Sequence, residues 1–244
     1  MKRALASIFL IFSASWLAAQ SPTRSGGATP KAMAPIDLTG QWVAVITEDW
    51  RWRMATPAKG DFTSVPLNAQ GRKVGNMWDP SADEASGNQC RSYGAPALMR
   101  VPGRIRFMWA DDETLRVETD AGMQNRTFYF KSPASQGGDW QGASEASWDM
   151  VGGPRGSSPQ GGSLHVVTTR FKAGYLRKNG VPYSDKAVLT EYYDVTRELN
   201  GDSWLIITTI VDDPTYLQQP FITSSNFKKQ RDTSGWKPTP CSAW

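Results

Sequence analysis

Arg104-Ile105-Arg106-Phe107-Met108-Trp109, the polar link Asp111-Asp112-Glu113, and Leu115-Arg116-Val117-Glu118-Thr119-Asp120 form the stretch that decides the fold class of this 244-residue chain. Apolar and polar side chains alternate on both sides of the link, the period of a half-buried strand. Folding back on the link sets Phe107 opposite Val117 and Trp109 opposite Leu115. The same register sets Arg106 opposite Glu118 and Arg104 opposite Asp120. One face is then apolar and the other carries paired charge, which is how an antiparallel hairpin fixes its register.

Outward from this hairpin the pattern recurs. Asn125 to Phe130 reads as a third strand, and Ala143 to Met150, Leu164 to Lys172, Ala187 to Arg197, Trp204 to Asp213 and Phe221 to Gln230 read as further strands. Asn200-Gly201 marks a hairpin turn. Upstream, alternation begins at Trp42 and runs on through Glu48-Asp49-Trp50-Arg51-Trp52-Arg53-Met54. That is long for one strand, so a bend or bulge is expected near Glu48 to Trp50. Pro66, Asn68, Gly71, Gly75, Pro80 and Gly87 interrupt the period, with short helices expected near Leu67 to Met77 and Ser81 to Ala85. Gly152 to Gly162 reads as a mobile connection. About nine or ten strands, mostly sequential neighbours, predict an all-β fold that closes into a barrel or curls into a sandwich, an antiparallel barrel with a short helical insertion being the expectation.

At the N-terminus, Met1-Lys2-Arg3 precedes an apolar run from Ala4 to Ala19, the pattern of a cleavable signal peptide over residues 1–20. The run is short for a transmembrane helix, and no later segment is long and apolar enough to span a bilayer. Residues 21–35 read as a flexible leader and residues 36–244 as the barrel domain. Periplasmic or secreted localisation is the expectation. Loss of Lys2 and Arg3 with the signal lowers the formal charge of +4 by two. Positive charge is not clustered, so no nucleic-acid partner is expected. Export places Cys90 and Cys241 in an oxidising compartment, and a disulfide between them is expected. With the single His165, they do not make a common zinc site.

Gly40-Gln41-Trp42 resembles the Gly-x-Trp that opens the first strand of lipocalins and other calycin barrels, where the Trp closes the barrel floor. Thr190-Glu191-Tyr192 resembles the lipocalin Thr-Asp-Tyr motif, although it falls inside an expected strand. The resemblance implies a calycin-like, lipocalin-like barrel. The phrases Glu48 to Met54, Tyr175-Leu176-Arg177-Lys178-Asn179-Gly180-Val181-Pro182-Tyr183 and Asp213-Pro214-Thr215-Tyr216-Leu217 resemble an uncharacterised family of secreted bacterial proteins, a likeness that brings no function with it.

Nucleophile elbows, phosphate loops and dinucleotide loops are absent from the sequence, so no cofactor or metal is expected. The signal for a site is charge on apolar strand faces. Leu189, Glu191, Tyr193 and Val195 share one face, and a turn at Asn200-Gly201 sets Glu191 opposite Ile210 and Val195 opposite Ile206. Glu48 stands between Ile46 and Trp50, and Arg126 shares a face with Phe128 and Phe130. A carboxylate so placed must be paired or face a cavity. Two readings follow: Glu191, Arg126 and Glu48 line a barrel cavity, or a glutamate pairs with Arg126 in a buried salt bridge. His165 reads as a strand histidine with a local hydrogen bond. Asp49, Arg51 and Arg53 read as a solvated charged edge.

The connection from Ala173 to Lys186 carries Tyr175, Arg177 and Tyr183 and reads either as a lid or as a packed structural loop. Trp50 and Trp52 read either as an aromatic wall or as core. The leading expectation is an exported protein holding a small apolar or aromatic molecule in the barrel. If it is an enzyme, it is a cofactor-free lyase, isomerase or hydratase. Glu191 would then be the acid or base, Arg126 would stabilise an anion, and Tyr192 or Tyr175 would orient the substrate, by fold-level analogy with cofactor-free cyclases. Glu48, Trp50, Trp52, Tyr175, Arg177 and Tyr193 are the expected ligand contacts. A non-catalytic carrier or cell-envelope accessory is the alternative.

Overall fold

The hairpin that decides the fold class forms with the expected register: β2 (Arg104–Trp109) pairs antiparallel with β3 (Thr114–Thr119), Phe107 opposite Val117 and Arg106 opposite Glu118. The computed structural model describes residues 28–131, 137–152 and 161–244. The expected signal peptide, the first part of the leader and most of the Gly152 to Gly162 run lie outside the described residues.

Around this hairpin stand β1 (Gly40–Val45), β4 (Asn125–Tyr129), β5 (Ala143–Val151), β6 (Gly161–Thr169), β9 (Val188–Arg197), β10 (Ser203–Asp212) and β11 (Phe221–Lys229). The nine strands close into a barrel in the order β1-β11-β10-β9-β6-β5-β4-β3-β2, with β1 also bonded to β2. The short strands β7 (Gly174–Arg177) and β8 (Val181–Tyr183) form a separate hairpin. One pairing departs from the expected antiparallel barrel: β4 and β5 run parallel, Phe128 beside Ser144. The connection between them must therefore return along the barrel, as a parallel pair requires.

Inward-facing side chains fill the barrel in layers. Trp42, Ile105, Phe107, Leu115, Val117, Phe128, Leu164, Val166, Tyr193, Leu205, Ile207 and Phe227 make one buried apolar cluster. Tyr193 meets Phe107 and Phe128 edge-on, at 5.9 and 5.6 Å between ring centroids, the favoured geometry for aromatic pairs. At the floor, where β1 begins, Trp42 Nε1 donates to the Leu38 carbonyl at 2.8 Å. Part of the expected flexible leader is ordered there. Trp148 Nε1 donates to the Pro30 carbonyl and the Lys31 amide to the Asp112 carbonyl, so backbone groups of this segment are satisfied against the barrel.

The other end, the rim, is covered by the stretch between β1 and β2 and by the β7–β8 hairpin. Helices α1 (Trp50–Arg53), α2 (Ala69–Gly75), α3 (Pro80–Ala85) and α4 (Ala95–Leu98) lie in that stretch. Asn68 and Asp79 cap α2 and α3 through their side chains, a position these short polar residues favour. Helix α1 replaces the expected continuation of the first strand. Asp49 takes a left-handed backbone (φ 49°) and turns the chain into the helix. A second buried cluster, with Phe62, Leu67, Leu176, Val181 and Tyr183 packed on Leu189, Val211 and Phe221, joins this cover to the rim. Residues 174–184 of the expected loop are a largely buried hairpin rather than a lid. Cys90 and Cys241 form the expected disulfide, tying the C-terminal tail to the same end.

The β9–β10 hairpin differs from expectation by one residue. Glu191 lies opposite Thr209, and Val195 opposite Leu205. The loop is three residues long: the Gly201 amide donates to the Glu198 carbonyl, the Glu198 amide to the Asp202 carbonyl, and Gly201 has φ 85°. A three-residue loop of this kind has an odd count, which shifts the partner strand by one and turns Leu205, Ile207, Thr209 and Val211 inward instead of Ile206 and Ile210.

Candidate functional site

Between the two apolar clusters runs a polar layer, and it holds the acid and base expected from sequence. Arg126 Nη2 lies 2.6 Å from Glu191 Oε2, and Nη1 lies 2.9 Å from Oε1. Tyr193 donates to Glu191 Oε1 at 3.1 Å, and Arg126 donates to Thr168 Oγ1 at 3.2 Å. Ser144 and Thr168 share a hydroxyl hydrogen bond at 2.8 Å. Glu191 has no exposed surface and Arg126 retains only 2 %. Burial pulls the Arg126 guanidinium down, but the Glu191 carboxylate more than offsets it and holds the group above its ordinary value. Burial and the same carboxylate push the Tyr193 hydroxyl well up. Of the two readings left open by sequence, the pair takes the salt bridge. Both carboxylate oxygens are occupied by charge-assisted bonds.

The remaining expected contacts disperse. Tyr192 faces outward and stacks on His165, ring centroids 4.8 Å apart, so it does not meet Glu191's partners. The alternation of a strand puts Tyr192 and Tyr193 on opposite faces. Tyr175 donates to Asp83 at 2.9 Å, with Arg91 over its ring at 4.4 Å, anchoring α3. Trp50 is exposed. Glu48 does not point into the barrel from a continuous strand. It sits past the end of β1, accepts from Asn226 at 3.1 Å, and pairs with Arg53.

Two expected contacts, Trp52 and Arg177, do come together, in a place where sequence did not put the site. Residues 52–56, Ala97, residues 100–102 and 176–178, with Ser92, Tyr93 and Ala121, line a half-open pocket of about 270 Å³ on the rim cover. Trp52, Tyr93, Ala97, Val101, Pro102 and Leu176 supply its apolar wall, and Arg53, Arg100, Arg177 and Lys178 its charge. Such a mixture of apolar wall and a few convergent polar groups is characteristic of small-molecule sites.

The local fold explains the cluster. Asp49, just before α1, and Arg53, its last residue, lie four apart, so both turn toward Arg100, two residues past α4. Arg53 Nε donates to the Arg100 carbonyl at 2.9 Å, and Arg100 Nη2 lies 2.9 Å from Asp49 Oδ2. Arg53 is therefore buried and Asp49 half-buried in one network rather than on a solvated edge, while Arg51 is exposed as expected. Arg177 leaves β7, donates through Nη1 to the Thr63 carbonyl at 2.7 Å, and stands 5.2 Å from the Trp52 ring centre. Burial, with the Arg100 charge adding to it, pulls the Arg177 guanidinium down to about 10. Burial pulls Arg53 down as well, partly offset by Glu48. Arg100 was missed from sequence, though it is the one charge in the run Ala95-Pro96-Ala97-Leu98-Met99-Arg100-Val101-Pro102, a signal of the kind used for Glu191 and Arg126.

Among the described residues, no three His, Cys, Asp or Glu side chains converge as a metal site requires, and no helix is long and apolar enough to cross a membrane. The chain matches no protein-family model, no curated protein and no solved structure.

Proposed function

We propose that this chain is an exported small-molecule-binding protein whose ligand sits in the rim pocket, with a flat, apolar body against Trp52 and Tyr93. The observation that carries this reading is the convergence of that apolar wall with buried, partly unpartnered cations at one half-open pocket. Export rests on the signal-like residues 1–20, and the disulfide accords with an oxidising compartment. The role is that of a carrier or envelope accessory rather than of a lyase or isomerase acting through Glu191. That carboxylate is committed to Arg126 and Tyr193 and does not line the pocket.

The test is nuclear magnetic resonance of the isotopically labelled protein against a panel of single-ring compounds. Binding that shifts the Trp52 indole and Tyr93 ring resonances, and that is lost in Trp52→Ala with the fold intact, supports the reading. Shifts confined to barrel-interior residues such as Tyr193, or to no residue of the pocket, refute it.

A further inference from the structure

The pocket's cations are not evenly satisfied. Arg53 has Glu48 and a backbone carbonyl, and Arg100 has Asp49. Arg177 has no ion-pair partner among the described residues and only the Thr63 carbonyl as acceptor. Its Nε and Nη2 are buried without a hydrogen-bond partner, as are Arg53 Nη2 and Arg100 Nη1. Lys178 is engaged elsewhere, donating to the Trp244 carbonyl at 2.8 Å beside the Tyr93 ring.

Nε and Nη2 form one edge of a guanidinium, two parallel N–H groups at the spacing of two oxygens on a carboxylate or phosphate. Leaving such donors buried and unpaired is costly. Bringing like charges together in a buried place is costly too, and the Arg100 charge acts directly against Arg177. Asp49 and Asp61 temper this, but Asp49 is held by Arg100, and Asp61 accepts from Trp52 Nε1 at 3.1 Å and from Thr63. One oxyanion entering the pocket would answer both costs at once. The space, equal to roughly nine waters at ~30 Å³ each, has room for a single-ring compound.

Resting on the pocket reading above, we infer that the ligand carries an oxyanion, a carboxylate or phosphate, bound by Arg177, whose unpaired edge is buried at the pocket wall and turns outward to meet the anion, with Arg100 and Arg53 beside it. The Trp52 ring, close to the Arg177 guanidinium, positions it for a planar anionic group attached to an aromatic body.

The experiment titrates the folded full-length protein with matched probes: benzoate and phenyl phosphate, their neutral counterparts benzamide and benzyl alcohol, and inorganic phosphate. Calorimetry gives affinity, and the Arg177 Nε–H resonance gives location. The expected result is binding of the anionic probes about tenfold or more tighter than the neutral ones, with the Arg177 Nε–H shifting. That preference should fall to about twofold or less in Arg177→Gln and be reduced in Arg177→Lys, which keeps the charge and loses the paired edge. Preference for benzoate over phenyl phosphate identifies a carboxylate, and the reverse a phosphate. Equal binding of neutral and anionic probes overturns the oxyanion inference and leaves the pocket reading standing. Binding of inorganic phosphate at Arg177 as tightly as phenyl phosphate upholds the oxyanion and overturns the aromatic body. No shift at Arg177 or Trp52 with any probe overturns both. The matched-probe comparison needs no variant, so it decides the question even if Arg177→Gln does not fold.

Discussion

Replacing Glu191 by Gln tests whether the barrel interior is a structural device or a working site. The substitution keeps shape and one acceptor oxygen but leaves the Arg126 charge without its bidentate partner, in a place with 2 % exposure. Breaking one side of a buried ion pair costs about 3–5 kcal/mol, because the remaining charge is uncompensated. In a chain of this size each kcal/mol moves the melting temperature by about 2–4 °C, so a drop of about 6–20 °C is expected. Removing both charges is different. Arg126→Met with Glu191→Leu fills similar volume without buried charge, a change that is often neutral or favourable by about 1–4 kcal/mol. Here Tyr193 would lose Glu191 as its acceptor, offsetting about 1–3 kcal/mol, so the double variant should lie near the parent. The assay is urea unfolding of the parent, Glu191→Gln, Glu191→Leu, Arg126→Met and the double variant, followed by tryptophan fluorescence and far-ultraviolet dichroism, whose coincidence licenses the two-state free energies. Single variants that each cost under about 1 kcal/mol and simply add would show that water or an opening relieves the pair. The sealed-layer reasoning would then be wrong.

Three further outcomes follow from the same physics. Replacing Cys90 and Cys241 by Ser opens a loop with a sequence separation of 151, for which the chain-entropy relation gives about 5 kcal/mol as an upper figure; denaturant unfolding should show a loss of several kcal/mol, and the contacts of Ala243 with Glu84 and of Trp244 with Lys178 should loosen in hydrogen exchange. Gly201→Ala meets no atom within 4 Å, so its cost is the left-handed backbone alone, about 1–2 kcal/mol, read as a shift in the unfolding midpoint with an unchanged slope. Buried Tyr193, Tyr183 and Tyr175 all have hydroxyls raised above 10.0, burial being the largest cause. Above pH ~10 the unfolded chain therefore holds fewer protons than the folded one, and stability falls as pH rises, by up to about 1.4 kcal/mol per pH unit for each group; tyrosinate absorbance for these three should emerge only with unfolding.

What the sequence made legible was whatever a local period determines. The β2–β3 register was readable because each of its residues has an unambiguous face. The β9–β10 register was not, because Asn-Gly serves both a two-residue turn and the three-residue loop that forms here, and the hydrophobic residues Ile206, Ile207 and Ile210 populate both faces. Trp50-Arg51-Trp52-Arg53 alternates like a strand, and a four-residue helix is too short to display a 3.6-residue period against that. The site suffered from the same limit. Pairing of Arg126 with Glu191 was readable as one of two options, since charge on an apolar face demands a partner. The pocket is assembled from residues after β1, before β2 and along β7, which no periodicity links.

The position of the pocket has a physical logic of its own. A barrel interior packed with Phe107, Phe128, Tyr193 and the Arg126–Glu191 layer would take a ligand at that layer only by breaking an ion pair that is costly to break. The rim cover is built differently. It hangs on short helices, one small hairpin and a disulfide-tethered tail, so its side chains meet at angles that strand packing does not dictate. Charges can be gathered there at less cost than in the core, because Arg53 and Arg100 each find a carboxylate on the same short helical turn or just before it, in Glu48 and Asp49. Arg177, projected from the buried β7–β8 hairpin, has no ion-pair partner among the described residues and only the more distant Asp49 and Asp61 to temper its charge. A guanidinium half satisfied beside an aromatic wall gains partners when an anion arrives, and its side chain is already largely ordered by folding, which lowers the cost of binding.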